Sequence, residues 1–284
     1  MTGIFNHTPV TAERMDGEVI RVGDVHVRVK VTGEGPPLLL VHGLGASLEL
    51  WQPLIDQLSG YQVITLDNPG AGASTVPSPP WRMPKYAQVL DLLLEELGYD
   101  QVDVLGLSFG GMICQELALR YPERIRKLIL AGTSAGWGSL LGSPLALSIL
   151  ATPLRYYSPA YMAAVAPFLY GGEADGGSEL VKAQTEARMK APPSIPGYFA
   201  QMTTAMTWTS VPFLPALKVP TLVLAGASDP ITPPYTCYQI ASLIPGAEYA
   251  EIKRGGHLFL IEKPATSAAV ITEFLQRESV THAA

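Results

Sequence analysis

The sequence is poor in cysteine and in charged residues, and both shortages exclude classes of protein. Only two cysteines, Cys114 and Cys237, occur in 284 residues, too few for a disulfide framework. Charged residues make up 15% of the chain, the net charge is −6 and no basic run occurs. This balance argues against a nucleic acid or an anionic membrane as partner. We expect two buried free thiols and a cytoplasmic protein.

Long apolar runs are lacking as well. No stretch reaches the roughly 20 apolar residues that a transmembrane helix needs, and residues 1–16 contain no apolar region typical of a signal peptide. Histidines and cysteines do not occur at the spacing of metal ligands, and Gly70-Ala71-Gly72 lacks the GxGxxG pattern of a dinucleotide site. The sequence therefore predicts neither a metal ion nor an organic cofactor.

The chain is rich in short apolar segments that alternate with helical patterns. Hydrophobic residues make up 48% of the chain. A hairpin around Gly23-Asp24 is followed by buried strands and amphipathic helices in alternation, which predicts an α/β fold with a mostly parallel, eight-stranded sheet covered on both faces. The predicted strands are 18–22, 25–31, 37–41, 61–66, 102–107, 127–131, 220–226 and 247–252, and the predicted helices are 47–58, 85–97, 109–120, 233–243 and 264–276.

The alternation stops between residues 135 and 217. This segment contains several helical pieces separated by prolines and no strand pattern, and Arg155 is its only charged residue between Ala135 and Gly172. We expect a core in two parts, residues 1–134 and 218–284, with residues 135–217 inserted as a helical cap.

The pattern Gly106-x-Ser108-x-Gly110 stands between a predicted strand and a predicted helix. It is typical of a nucleophile elbow, in which a serine at a strained strand-to-helix turn projects from the sheet. Glycines let the strand and helix pass closely, and the helix N-terminus places free N–H groups beside the serine. The pattern predicts that Ser108 is a nucleophile; the alternative is a glycine-rich turn without a catalytic role.

A serine nucleophile needs a base, and the base needs an orienting acid. His257 follows the last predicted strand and Asp229 follows the strand before it, so both stand where parallel sheets place their sites. When each residue is considered alone, Asp229 is also typical of an aspartate that forms a turn, and His257 is also typical of a capping histidine. Together, the order Ser108, Asp229, His257 favours a catalytic triad, because it is the order of α/β-hydrolases.

The other histidines suit the role of base less well. His7 and His282 belong to polar terminal stretches, and His26 belongs to the hairpin. His42 is predicted to be a structural residue at the base of a loop. Asp67 is a rival acid, although the Asp-x-Pro-Gly sequence that it begins is more simply an Asx-type turn.

An oxyanion intermediate needs hydrogen-bond donors. We predict that these are the backbone N–H groups of Phe109, directly after the nucleophile, and of Leu44, in the glycine-rich loop after the strand 37–41.

These motifs together resemble the α/β-hydrolase superfamily, and the resemblance covers most of the chain. A narrower resemblance is to the intracellular depolymerases of medium-chain-length polyhydroxyalkanoates. The first rests on His42-Gly43-x-Gly45, Asp67-x-Pro69-Gly70-x-Gly72-x-Ser74, Gly106-x-Ser108-x-Gly110, Gly226-x-x-Asp229-Pro230 and Gly256-His257, and the second on 45–50, 170–172, 208–210, 220–226 and 256–261. The chain departs from the depolymerases at His42 and Phe109, where asparagine and tryptophan are expected.

The resemblance implies a serine ester hydrolase that acts on apolar acyl or polyester substrates, with an association at the surface of polymer granules. The alternatives are a C–C bond hydrolase, whose anionic substrates an arginine-poor insertion disfavours, and a catalytically silent binding protein on the same fold. Apolar residues of the insertion are expected to form a substrate surface, with Leu145 expected to contribute to acyl-chain preference. These residues are Leu140, Leu141, Leu145, Leu147, Ile149, Leu150, Phe168 and Tyr170.

Overall fold

The computed structural model describes residues 15–174 and 179–277, and it confirms the predicted α/β fold with an eight-stranded sheet. His7 and His282 lie outside the described residues. The strands are β1 (Met15–Val22), β2 (Val25–Thr32), β3 (Pro37–Val41), β4 (Gln62–Leu66), β5 (Val102–Leu107), β6 (Ile125–Ala131), β7 (Thr221–Gly226) and β8 (Glu248–Ile252). The helices are α1 (Gln52–Ile55), α2 (Met83–Glu96), α3 (Phe109–Arg120), α4 (Pro144–Leu150), α5 (Pro159–Tyr170), α6 (Glu179–Lys190), α7 (Ile195–Met206), α8 (Pro234–Leu243), α9 (Phe259–Glu262) and α10 (Pro264–Gln276).

The strand order is β1-β2-β4-β3-β5-β6-β7-β8. Strand β2 pairs antiparallel with β1 and β4, and every pair from β4 to β8 is parallel. In this order β5, β6, β7 and β8 are neighbours, so the loops after β5, β7 and β8 open at one edge of the sheet. This edge receives Ser108, Asp229 and His257.

Both faces of the sheet are buried, because alternate side chains of each strand enter different cores. Leu39 of β3 and Val104 of β5 pack on one face with α2, α3 and α8. Their neighbours Leu40 and Leu105 pack on the other face with α1, α9 and α10. This arrangement explains why the central strands are continuous apolar runs, whereas β2 alternates between buried and less buried residues.

The predicted helix over 47–58 is wrong for most of its length. Residues Leu48–Trp51 form a 3₁₀ turn, and only Gln52–Ile55 are α-helical. Pro53 explains the break, because a proline has no N–H to donate and fits only the first turn of an α-helix. In addition, the N–H of Leu48 is bound by the carboxylate of Asp67 at 2.8 Å.

The described part of the segment between β6 and β7 contains the helices α4 to α7. It also contains an isolated antiparallel β-bridge between Gly136 and Thr209. Its prolines begin helices rather than only separating them. Ser143 and Ser158 cap α4 and α5 by accepting hydrogen bonds from Ala146 and Tyr161, with a proline directly after each serine. This pairing of a serine cap with a proline in the first turn is a standard helix start.

None of the helices within residues 15–174 and 179–277 is both long and apolar enough to cross a lipid bilayer. The two cysteines of the described chain are free and buried, Cys114 on α3 and Cys237 on α8, as the sequence predicted.

Candidate active site

Ser108 occupies a strained turn between β5 and α3. Its backbone has φ 56° and ψ −120°, a conformation that costs free energy for any residue with a Cβ. Hydrogen bonds hold the turn from both sides: its N–H donates to Ala131 at 3.0 Å, and its carbonyl accepts from the Thr133 hydroxyl at 2.6 Å.

The glycines beside Ser108 permit the crossing of strand and helix. A Cβ on Gly106 would lie 2.6 Å from the Gly110 carbonyl oxygen, and a Cβ on Gly110 would collide with the carbonyl of Val41. Larger residues at either position would therefore push α3 away from the sheet and displace the serine.

Asp229 and His257 contact each other directly after β7 and β8. The Oδ2 atom of Asp229 lies 2.8 Å from Nδ1 of His257, and both side chains are buried. The same carboxylate accepts hydrogen bonds from the N–H groups of Ile231 and Thr232 at 2.8 and 3.0 Å, and from the Thr232 hydroxyl at 2.7 Å. These bonds orient the acid toward the imidazole. The role of Thr232 was not predicted from the sequence, although Asp-x-x-Thr is a recognisable local pairing.

Tyr170, the last residue of α5, helps to position His257. The N–H of His257 donates to the carbonyl of Tyr170 at 2.7 Å, and the two rings are nearly parallel at 6.5 Å. His257 and Ser108 line the same small cavity of about 30 Å³. The structure thus brings together all three residues that the sequence proposed as a triad.

The loop after β3 approaches the serine closely. A Cβ added to Gly43 would lie 3.2 Å from Cβ of Ser108, and Leu44 lines the cavity beside it. Phe109 is the first residue of α3, where an N–H has no partner within the helix. Both predicted oxyanion donors, Leu44 and Phe109, therefore belong to segments adjoining Ser108.

Residues of the segment between β6 and β7 hold the loop after β3. The Tyr156 hydroxyl donates to the Leu44 carbonyl at 2.6 Å, and Gln201 of α7 accepts from the Gly45 N–H at 2.8 Å. The other end of the Gln201 amide donates to Pro69 at 2.9 Å. Nothing local in the sequence indicated Tyr156 or Gln201, because both reach the loop from more than 100 residues away.

His42 and Asp67 bind backbone N–H groups of loops and are not part of the candidate triad. The Nδ1 atom of His42 accepts the N–H of Gly43 at 2.7 Å, and its ring packs on Trp51. Burial lowers the pKa of His42 to about 3, with Arg188 and His257 adding to the effect. Asp67 binds the N–H groups of Leu48 and Ala73, as expected of a turn-shaping aspartate, and burial raises its pKa.

A larger cavity of about 590 Å³ also adjoins Ser108. No charged residue lines it among the residues that the structure describes. Phe109, Met112 and Ile231 line it together with Ser108, and further lining residues come from 136–142, 147–151 and 202–206, without Ile149.

The apolar residues expected to form a substrate surface divide into three groups. Leu140, Leu141, Leu147 and Leu150 line the large cavity. Ile149 and Tyr170 are buried, and Tyr170 lines the small cavity beside Ser108. The expectation for Leu145 is wrong: this residue is 53% exposed and, like the exposed Phe168, does not line the cavity, because it lies on the outer side of α4.

The described residues contain no group of three or more histidine, cysteine or acidic side chains able to hold a metal ion.

Comparison with known proteins identifies the class to which this fold and site belong. The profile of the α/β-hydrolase fold matches residues 36–166 and 187–264, so the chain belongs to the α/β-hydrolase family. A poly(3-hydroxyalkanoate) depolymerase from Ectopseudomonas oleovorans is 40% identical over 243 residues, which cover 85% of this chain and 85% of that protein. The resemblance to polyhydroxyalkanoate depolymerases is thereby confirmed.

Solved structures give the same class. An enol-lactonase from Burkholderia xenovorans LB400 is similar with a TM-score of 0.80 and 25% identity, covering 92% of this chain and 100% of that one. A thermophilic esterase from Thermogutta terrifontis is similar with a TM-score of 0.76 and 29% identity, covering 93% and 98%. The relatives are hydrolases, and this chain is a hydrolase of the same family.

The buried His42 predicts a pH dependence of stability. Its pKa in the folded chain, about 3, is below the ordinary value of 6.5, so between these pH values only the unfolded chain takes up this proton. The free energy of unfolding should therefore fall on acidification from pH 6.5, with a contribution of up to about 1.4 kcal/mol per pH unit. Denaturant titrations between pH 4.5 and 7.5 should show a shallower slope for His42→Asn than for the unsubstituted protein. The exposed His26 provides the control, since His26→Asn should keep the original slope; equal slopes for all three proteins would contradict the assignment.

Proposed function

We propose that this protein is a serine ester hydrolase for apolar acyl or polyester substrates, with Ser108, Asp229 and His257 as its catalytic triad. The observation that carries the proposal is the 2.8 Å contact between Asp229 and His257 at the cavity lined by Ser108. In an α/β-hydrolase, this arrangement supplies a nucleophile, a base and an orienting acid.

The proposed reaction has two steps, formation of an acyl-enzyme and its hydrolysis. Ser108 Oγ attacks the ester carbonyl while His257 accepts the serine proton, and the N–H groups of Leu44 and Phe109 bind the oxyanion. The intermediate then collapses with cleavage of the C–O bond, and His257 returns the proton to the leaving alcohol. A water molecule, deprotonated by His257, hydrolyses the acyl-enzyme and restores Ser108. The net reaction consumes one ester and one water and gives one acid and one alcohol, without a cofactor.

The large cavity supports an apolar acyl group as the preferred substrate. Its volume of about 590 Å³ and its lining of leucine, methionine and aromatic residues suit a medium-length hydrocarbon chain. The relative from Ectopseudomonas oleovorans is, by its name, a depolymerase of poly(3-hydroxyalkanoate), a polyester of 3-hydroxy acids. We therefore propose that residues 135–217 form a cap that covers Ser108 and selects the acyl chain. The two free, buried cysteines support the further proposal of a cytoplasmic enzyme.

Exposed apolar residues at the rim of this cavity support contact with a polymer surface. Trp137 and Leu141 are 76% and 75% exposed, and both also line the cavity. Contiguous exposed apolar residues of this kind mark interaction surfaces. A granule of solid polyester would meet the rim and feed chains toward Ser108.

A C–C bond hydrolase with the same triad remains a second candidate for a specific reason. The scarcity of arginine in the insertion was the argument against anionic substrates, yet Arg155 and Arg188 both line the small cavity beside Ser108. A vinylogous diketone substrate therefore belongs in the same activity screen as the esters. A silent binding protein is disfavoured because the triad residues are all present and close together.

Substitutions of the triad test the mechanism. Ser108→Ala should lower kcat by about 10³- to 10⁶-fold, because the covalent route is lost. Asp229→Asn should cost on the order of 10⁴-fold by leaving His257 in the wrong tautomer. Asp67→Asn, which changes a turn rather than the triad, should have a much smaller effect per folded molecule. Hydrolysis of p-nitrophenyl octanoate, normalised to folded protein by circular dichroism, provides the measurement; a mild Asp229→Asn and a severe Asp67→Asn would overturn the assignment.

A series of p-nitrophenyl esters tests the apolar pocket. Each buried methylene contributes about 0.8 kcal/mol, so kcat/KM should rise several-fold per two carbons from acetate to octanoate. Leu147→Gln places an amide in the cavity wall and should flatten this rise. Leu145→Gln, two residues earlier on α4 but facing outward, should keep it. A flat or falling profile in the unsubstituted protein would remove the case for an apolar acyl substrate.

The rim is tested with a polymer suspension beside a soluble ester. Leu141→Ser should lower the ratio of polymer hydrolysis to p-nitrophenyl butyrate hydrolysis by about 5-fold or more, because it removes on the order of 1–2 kcal/mol of apolar contact. Val19→Ser, a similar change at an exposed residue of β1, should leave the ratio as it was. If both variants change the ratio equally, the rim is not the polymer-binding surface.

A further inference from the structure

Two arginines are buried beside the candidate triad without a carboxylate partner. Arg155 and Arg188 are each 3% exposed, and both line the small cavity together with Ser108 and His257. Within residues 15–174 and 179–277, neither guanidinium forms an ion pair. Burying a charge without an opposite charge is costly, so buried charges in proteins are usually paired or coordinated.

Neutral groups satisfy only part of each guanidinium. Arg155 donates to the Tyr198 hydroxyl at 2.6 Å, to the Thr152 carbonyl at 3.2 Å and to the Leu44 carbonyl at 3.5 Å, and it lies over the Tyr156 ring. Arg188 donates to Gln184 at 3.1 Å and lies over the Tyr170 ring. These contacts hold the two cations in place but do not neutralise them.

Unpartnered donors accumulate around the small cavity. Among the described residues, the Nε atoms of Arg155 and Arg188 and the Nε2 atom of His42 are buried without a hydrogen-bond partner. Because Nδ1 of His42 accepts from Gly43, its proton belongs on Nε2, which makes that atom a donor. All three residues line the small cavity.

Two carboxyl groups lie near His257. Asp229 binds His257 directly, and one oxygen of Glu262 accepts from the N–H of Gly256 at 3.0 Å, whereas its Oε1 atom is buried without a partner. Burial raises the pKa of Glu262 to about 7. Neither carboxyl is among the groups that line the small cavity. The cavity is therefore a cationic site open to an anion.

We propose that the small cavity is a carboxylate subsite, in which Arg155, Arg188 and His42 bind the free carboxyl terminus of a hydroxyacyl ester. Its volume of about 30 Å³ exceeds the ~10–15 Å³ that a cavity needs to hold one water molecule, so it admits a small polar group such as a carboxylate. Arginine is the side chain best suited to this recognition, because its donors match carboxylate geometry. This inference rests on the proposed ester hydrolysis, and it adds that the substrate carries a negatively charged carboxylate near the ester bond that is cleaved.

The relation of the two cavities gives the direction of cleavage. They share Leu44, Ser108, Leu150 and Ile231, so they meet at the nucleophile, and His257 lines only the small one. Since His257 protonates the leaving alcohol, the alcohol portion of the ester lies toward the arginines. In a 3-hydroxyacyl oligomer, the terminal carboxylate is three bonds from that alcohol oxygen. The enzyme would thus add one water across the last ester bond and release the terminal hydroxy acid as its anion.

A pair of soluble dimers tests this subsite. The substrates are the dimer of 3-hydroxyoctanoate with a free carboxylate and the same dimer capped as a primary amide, which is neutral and nearly the same size. The native protein should hydrolyse the free acid with a kcat/KM at least about 10-fold above that of the amide. Arg188→Met and Arg155→Met should each lower this acid-to-amide ratio about 10- to 100-fold, as expected for loss of a buried charge-assisted hydrogen bond.

Conservative and control variants separate binding from folding. Arg188→Lys keeps the charge and should retain an intermediate ratio, whereas Lys190→Met, which removes an exposed charge on the same helix, should retain the full ratio. Competition provides a measurement on the native protein: 3-hydroxyoctanoate should inhibit p-nitrophenyl octanoate hydrolysis at lower concentration than 3-hydroxyoctanamide, and Arg188→Lys should narrow the difference.

The outcomes distinguish this inference from the proposed function. If the native protein hydrolyses both dimers and p-nitrophenyl octanoate but does not prefer the acid, the subsite is overturned and the esterase proposal stands. Equal losses on both dimers in Arg188→Met and Arg155→Met would also overturn it, by assigning the arginines a structural role. If no ester is hydrolysed, the proposed function fails together with the inference.

Discussion

The close crossing of β5 and α3 at Ser108 is the constraint on which the rest of the site depends. Gly106 and Gly110 allow the backbones to approach within distances that no Cβ would permit, and Ser108 adopts a left-handed conformation between them. The strain of this turn is offset by the hydrogen bonds to Ala131 and Thr133 and by the packing of α3 on the sheet. The serine is thereby presented at the edge of the sheet where the loops after β7 and β8 also end.

Polar contacts tie the segment between β6 and β7 to the loops of the sheet. Tyr156 and Gln201 bind the loop after β3, and the carbonyl of Tyr170 binds the N–H of His257. Hydrogen bonds of this kind depend on distance and angle, so a shift of the helices would alter the geometry around the serine. The same segment thus shapes the apolar cavity and positions the backbone on which the proposed oxyanion site depends.

The two cavities at Ser108 differ sharply in chemistry. The larger is apolar and lined without charge among the described residues, whereas the smaller contains His42, Arg155 and Arg188. A substrate that spans the serine would therefore experience an apolar environment on one side and a cationic one on the other. This polarity, more than the size of either cavity, is the feature from which an orientation of the substrate can be inferred.

Much of the fold was predictable from the sequence because its determinants are local. The central strands are continuous apolar runs, and the bounds of β3, β5, α3 and α10 agree with the predicted ones. The candidate triad was also predictable, since each member stands within five residues of the end of a parallel strand. The prediction of a helix over 47–58 is wrong, because apolar periodicity does not reveal the break at Pro53 or the hydrogen bond from the Leu48 N–H to the distant Asp67.

The sequence by itself determined the sheet, the strained turn at Ser108 and the order of the three proposed triad residues, because strand patterning and glycine spacing act over a few residues. Only the tertiary structure decided which side chains of the inserted segment face Ser108. It turned Leu145 outward and Leu147 inward, although both stand on one short helix, and it brought Arg155 and Arg188 to the same cavity from two separate helical segments. Those orientations follow from how helices without sequence periodicity pack on one another, and packing is a property of contacts between distant residues.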